Sequence, residues 1–63
     1  MTKNEKRIKQ VLSEYDLTSV FIAYNRRNGW VVKSNNGHFF VGLNIGELID
    51  DIRFEMEVKS TWN

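Results

Sequence analysis

The chain has 63 residues, enough for one domain, with 41% hydrophobic residues, a net charge of +1 and no cysteine. This composition excludes a disulfide framework and a zinc–thiolate site, and it is typical of a folded protein in a reducing cytosol. No run approaches the roughly 20 apolar residues of a membrane span, and the polar first residues lead into no apolar stretch typical of a secretory signal. We therefore expect a cytoplasmic protein without a membrane partner.

The first predicted element is a helix over residues 3–15. Thr2 and Glu5 have the spacing of a capping box, which marks a helix start. The apolar residues that follow recur at helical spacing and form a single stripe: Ile8, Val11, Leu12 and Tyr15. Asp16 ends this pattern, so the helix should bury one face only.

Three strands are predicted next, over residues 18–25, 30–34 and 38–43, because these runs are rich in β-branched and aromatic residues. Asn36-Gly37 suits a two-residue type I′ turn. Arg27-Asn28-Gly29 suits a three-residue loop closed by a glycine. The two turns predict an antiparallel meander.

The same turns predict which side chains face the helices. Their lengths pair Val32 with Val41, and Arg26 with Trp30, which gives a strongly apolar core face: Val20, Ile22, Tyr24, Trp30, Val32, Ser34, Phe39, Val41 and Leu43. The opposite face then holds the alternate residues: Phe21, Ala23, Asn25, Val31, Lys33, Asn35, His38, Phe40 and Gly42. A slip of one residue would exchange the two faces, so this prediction depends on the turns.

A second helix is predicted over residues 45–56. Asn44 suits its N-cap and Glu47 the third helical position. The apolar residues of this segment fall within one arc: Ile45, Leu48, Ile49, Ile52 and Met56. Period-two alternation over 54–62 is the competing pattern of a fourth strand, but a helix that ends in an irregular tail from about residue 58 is favoured.

The predicted fold is α+β, in the order α-β-β-β-α, with a three-stranded antiparallel meander and both helices on one face of a single domain, 1–63. This order resembles the double-stranded-RNA-binding domain over most of the chain. In that family, lysines at the start of the last helix hold phosphates. Here the corresponding stretch carries Glu47, Asp50 and Asp51, so the resemblance implies no RNA-binding function.

The predicted open sheet face is the first candidate for a functional surface. It interleaves aromatic, aliphatic and basic side chains, namely Phe21, Val31, Lys33, His38 and Phe40. Contiguous exposed apolar area often marks a contact site. We expect this face to bind a larger protein, and pairing of two copies into a homodimer through an edge strand is a further alternative.

The second candidate is an acidic edge on the second helix, formed by Glu47, Asp51, Phe54 and Glu55. Residues 1–10 carry a net charge of +3 and residues 44–63 a net charge of −3. The acidic residues could therefore pair with Lys6 and Lys9 of the first helix, or simply be solvated. Alternatively, they could dock a basic protein surface, with Phe54 as an apolar anchor.

A single-stranded nucleic-acid binder is the alternative function, since exposed aromatics and basic residues can stack bases and contact phosphates. Its residues would be Arg26, Arg27, Trp30, Lys33 and Phe40. The near-neutral charge disfavours this function, because nucleic-acid-binding domains usually show a basic excess.

Catalysis is not expected. His38 is the single histidine, no cysteine is present, and no metal-ligand spacing or glycine-rich phosphate loop occurs, so we predict no catalytic residue, metal or cofactor. The composition resembles that of small inhibitors carried by phages or mobile elements, including anti-CRISPR proteins. This likeness implies a non-enzymatic protein that blocks a surface of a larger host protein.

Overall fold

The computed structural model describes residues 3–58 and has the predicted order of elements. Helix α1 is Lys3–Ser13, and helix α2 is Ile45–Arg53, which continues into a π-helical turn at Phe54–Val58. Between the helices lie three strands: β1 (Ser19–Asn25), β2 (Gly29–Ser34) and β3 (Phe39–Gly42). They form one antiparallel sheet in the order β1-β2-β3. The predicted α+β meander is confirmed.

Helix α1 ends in a Schellman motif, which turns the chain toward the sheet. The Leu17 N–H donates to the Leu12 carbonyl at 2.9 Å, and the Asp16 N–H donates to the Ser13 carbonyl at 3.1 Å. Asp16 has a φ of 59°, the left-handed conformation that this motif requires. Leu17 is thereby buried beside Leu12. The capping box predicted at Thr2 lies outside the described residues.

Helix α2 begins as predicted. The Asn44 side chain accepts a hydrogen bond from the Glu47 backbone N–H at 2.9 Å, which satisfies one of the unpaired donors of the first turn. Leu48 and Ile52 are buried on its inner face. The π-helical turn continues the helix, so the strand alternative is wrong over 54–58, and residues 59–62 lie outside the described residues.

The β1–β2 pairing keeps the predicted side-chain directions. Asn25 pairs with Gly29, so the three-residue loop is Arg26–Asn28, one position earlier than predicted. Ile22 and Tyr24 lie opposite Val32 and Trp30. Each is two residues away from its predicted partner, which leaves its side chain on the predicted face. Val20 is the exception, because the register shifts between Ser19 and Phe21 and leaves this valine 65% exposed instead of in the core.

The β2–β3 pairing, in contrast, lies one residue away from the predicted register. Val32 pairs with Phe40, not with Val41. Phe40 is consequently fully buried, and His38 lies on the same side of the sheet with its ring 6.0 Å from the Phe40 ring. The predicted placement of Phe40 and His38 on the open sheet face is wrong, although His38 is itself exposed. The predicted burial of Phe39, Val41 and Leu43 is also wrong, because they are 59%, 55% and 68% exposed.

The turn between β2 and β3 accounts for part of this slip. Ser34 and His38 close the turn through a 3.0 Å hydrogen bond, so the loop has three residues, 35–37. A two-residue type I′ turn needs positive φ at both central residues. Among the described residues, Asp16 is the one non-glycine with positive φ, and only Gly37 of the predicted Asn36-Gly37 pair adopts it, at 88°. Asn35 is instead held beside Thr18 by two hydrogen bonds.

The second cause lies at Gly42, where α2 crosses the end of β3. A Cβ atom at this glycine would lie 2.3 Å from the Leu48 nitrogen and 2.6 Å from the Leu48 Cα. Only a residue without a side chain allows the helix backbone to come this close. Gly42 must therefore face α2, and the alternation along the strand then turns Phe40 inward and Val41 outward.

The core lies between the two helices and one face of the sheet. Ile22, Val32 and Phe40 form a row across the three strands beneath the helices. The buried residues form a single cluster: Ile8, Val11, Leu12, Leu17, Val32, Phe40, Leu48 and Ile52. Both helices thus cover the same face of the sheet, as predicted, and leave its other face uncovered by any element within residues 3–58.

Candidate functional site

The uncovered sheet surface, here called the open face, consists of two rows of side chains. Each row crosses all three strands: Phe21–Lys33–Phe39 and Ala23–Val31–Val41. Phe21 and Phe39 are 51% and 59% exposed. Neighbouring strands lie about 4.8 Å apart, so the six side chains form one continuous, mostly apolar surface.

Lys33 is at the centre of the aromatic row, and it gives the open face its charge. Its Nζ lies 5.4 Å from the centroid of the Phe39 ring, within the range of a cation–π interaction. Its alkyl chain can lie along the apolar surface while the ammonium group stays in water. The open face therefore presents two phenyl rings with one cation between them.

Three of the residues predicted for this surface are on it: Phe21, Val31 and Lys33. His38 and Phe40 face the other way. In their place, the slipped register adds Phe39 and Val41, which sequence reasoning assigned to the core. The signal for this was Gly42, because a lone glycine within a strand indicates a close backbone approach.

The acidic edge lies along a shallow groove between β3 and α2, which adjoins the open face at Val41. This groove has a volume of about 450 Å³, and three members of the predicted acidic edge line it, namely Glu47, Asp51 and Phe54, whereas Glu55 does not. Val41 and Leu43 supply its apolar wall.

Two of its carboxylates already have structural roles. Asp51 Oδ2 accepts a hydrogen bond from the Val41 backbone N–H at 3.0 Å, which occupies the free edge of β3. The Glu47 carboxylate accepts from the Asn44 side-chain amide at 3.3 Å. These bonds give the acidic edge a role within the fold, so it is the weaker of the two candidate surfaces.

The ion pair that joins the two helices differs from the predicted one. Arg53 in α2 contacts Glu14, just beyond α1, at 3.2 Å, and Glu57 at 3.8 Å. Within residues 3–58, no ion pair joins Lys6 or Lys9 to the acidic edge. The predicted pairing of these lysines is therefore wrong. The positive partner belongs to α2 and the negative partner follows α1, which is the reverse of the prediction.

Tyr15 completes this polar cluster beside the π-helical turn. Its hydroxyl donates to the Glu57 carboxylate and accepts from Arg53 Nη1 at 3.3 Å. Partial burial, together with the Glu57 carboxylate, raises the pKa of Tyr15 above its ordinary value of 10.0. The bond to Glu14 raises the pKa of Arg53. The cluster fixes the end of α2 against α1, and it lies on the helical side, away from the open face.

The residues of the predicted nucleic-acid surface are dispersed. Arg26 and Arg27 lie in the β1–β2 loop, and Lys33 is on the open face. Trp30 lies on the helical side of the sheet, where its ring is tilted by 49° against the Tyr24 ring, with the centroids 4.9 Å apart. Phe40 is buried. The five side chains share no surface on which a base could stack between aromatic and basic groups.

Residues 3–58 contain no group of three or more histidine, cysteine, aspartate or glutamate side chains that could hold a metal ion. No helix among them is long and apolar enough to cross a bilayer. Comparison with family models, curated proteins and solved structures finds no match to this chain.

Proposed function

We propose that this protein is a non-enzymatic binding module whose open face occupies a surface of a larger protein. The observation that carries the proposal is the composition of that face: Phe21 and Phe39 are half exposed, with Lys33 between them. Exposed apolar patches on small domains often mark interaction sites. Rigid aromatic side chains also supply much of the binding energy of protein interfaces.

The side chains of the open face indicate which chemistry the partner surface should have. A surface that covers two phenyl rings must itself be apolar, and burial of Lys33 requires an acceptor for its ammonium group, because a buried unpaired charge is costly. The partner surface should therefore combine an apolar patch with a central carboxylate. The compositional likeness to small phage-type inhibitors supports a use in which such binding blocks the partner.

A photocrosslinking experiment tests this proposal. A photoreactive benzoylphenylalanine is placed either at Phe39, on the open face, or at Phe54, on the acidic edge, in cells that naturally contain the protein. Both phenylalanines are exposed, at 59% and 48%, so the two positions form a matched pair. We expect a covalent adduct with one defined protein at position 39 and little adduct at position 54.

Other adducts would overturn the proposal, and each would support a different alternative. An adduct at position 54 alone would assign binding to the acidic edge. A nuclease-sensitive adduct at position 39 would indicate a nucleic-acid partner. An adduct with twice the mass of the chain would show that the open face joins two copies instead of binding a larger protein.

A further inference from the structure

The two edges of the sheet differ in how they are protected. At the β3 edge, Asp51 binds the outward-pointing N–H of Val41, and a carboxylate placed at an edge disfavours the addition of another strand. Strand β1 forms the other edge. Its seven residues, Ser19–Asn25, include no charged residue and no proline, two of the usual devices that block edge pairing. A third such device, a bulge, is limited to the register shift between Ser19 and Phe21 and leaves Ile22–Tyr24 regular.

The hydrogen-bonding pattern identifies which groups β1 presents outward. Since the Val41 N–H points away from β2, Val41 and Val31 are a non-hydrogen-bonded pair, and Val31 must direct its backbone groups toward β1. Ala23, its partner in β1, thus bonds inward, whereas Ile22 and Tyr24 on either side of it point outward. Within residues 3–58, no hydrogen bond uses these outward groups.

Helix α1 leaves this edge accessible. An open groove of about 240 Å³ separates β1 from α1, with Glu5 and Lys9 on its helical wall. Tyr24, at the other end of the edge, is 56% exposed. An added strand can therefore reach the backbone of Ile22 and Tyr24.

We propose that β1 pairs with β1 of a second copy of this chain, in an antiparallel arrangement with its two-fold axis at Ala23. The outward groups of Ile22 and Tyr24 are placed symmetrically about Ala23. In this arrangement Ile22 of each copy pairs with Tyr24 of the other. Each of these two pairs exchanges two backbone hydrogen bonds, so four form in a self-complementary interface. The smallest side chain of the strand lies at the axis, and the paired strands themselves carry no charged residue.

This pairing extends the proposed function without depending on it. The two three-stranded sheets become one six-stranded sheet, and the two open faces become continuous on the same side. The dimer would therefore present two copies of the aromatic face to a partner, which raises the apparent affinity for a partner with two matching surfaces.

Cysteine crosslinking tests the register of this dimer, and the absence of natural cysteine leaves a single thiol in each variant. In the proposed arrangement, the two Ala23 Cα atoms face each other at about 4.5 Å, within disulfide reach. The two Asn25 Cα atoms lie roughly 13 Å apart on the same face and are out of reach. Under mild oxidation, Ala23→Cys should form a disulfide-linked dimer about tenfold or more faster than Asn25→Cys.

Three controls make the result decisive. In urea the two variants should crosslink at equal rates, because the difference depends on the folded edge. Addition of Phe39→Ala should leave the crosslinking unchanged, which separates this inference from the proposed function of the open face. Sedimentation equilibrium of the unmodified chain should show reversible dimerisation as the concentration rises from micromolar to millimolar. Equal crosslinking of the two folded variants, or a monomer throughout this range, would overturn the proposal.

Discussion

We expect Phe40→Ala to unfold most of the protein and Phe39→Ala to leave it folded. Phe40 is fully buried between the sheet and both helices, and truncation of a buried phenylalanine typically costs about 3–5 kcal/mol. The core of a domain of this size supplies only about 3–5 kcal/mol of net stability, so the loss is comparable to the whole. Thermal unfolding followed by circular dichroism measures this directly.

Phe39→Ala is the matched control, because it changes the same residue type one position away. Phe39 is 59% exposed, and its contact with Lys33 is a surface cation–π interaction worth about 0.5–1 kcal/mol. Its free energy of unfolding should therefore fall by no more than about 1 kcal/mol. If Phe39→Ala proved the more destabilising of the two, the strand would have the opposite orientation and the open face would be wrongly assigned.

Gly42→Ala should destabilise the fold by about 3 kcal/mol or more, although it adds only a methyl group. That methyl would lie 2.3 Å from the Leu48 nitrogen, and because the contact is with backbone, α2 must move away from the sheet. Overpacking of this kind typically costs 1–3 kcal/mol, and more where the neighbour cannot yield. Urea denaturation would show a lower midpoint, or no cooperative transition.

Gly46→Ala provides the comparison within the same region. The nearest atom to the added methyl would be Asn44 Oδ1, at 3.3 Å, which belongs to a side chain. Alanine also favours helix over glycine by up to about 1 kcal/mol. The free energy of unfolding should therefore change by no more than about 1 kcal/mol. Equal effects at Gly42 and Gly46 would mean that α2 does not pack closely on β3.

The helices and the strand order could be predicted because their signals are local. Helical spacing placed the buried faces of α1 and α2, and Asn44 marked the start of α2 through its own side chain. The three-residue length of the first loop was enough to give the directions of Ile22 and Tyr24 correctly. These features depend on residues close together in the chain, so a single sequence contains them.

The orientation of β3 could not be predicted in the same way, since it depends on contacts distant in sequence. Asn36-Gly37 has the composition of a two-residue turn, but Asn35 is held by Thr18, seventeen residues away. A register that buries Phe39, Val41 and Leu43 gives the more apolar core face when the strands are considered without the helices. However, α2 packs so closely on β3 that Gly42 must face the helix, and this requirement selects the opposite orientation of the strand. That reversal replaced His38 and Phe40 with Phe39 and Val41 on the candidate site.

The position of β3 relative to β2 decides which aromatic residues a partner can reach, and nuclear Overhauser contacts between Hα protons measure it most directly. Such contacts are strong between residues of non-hydrogen-bonded antiparallel pairs, where the Cα atoms lie about 4.5 Å apart. We expect them between Val31 and Val41 and between Lys33 and Phe39. An Hα contact between Val32 and Val41 would instead place Phe40 on the outer surface and contradict the proposed binding face.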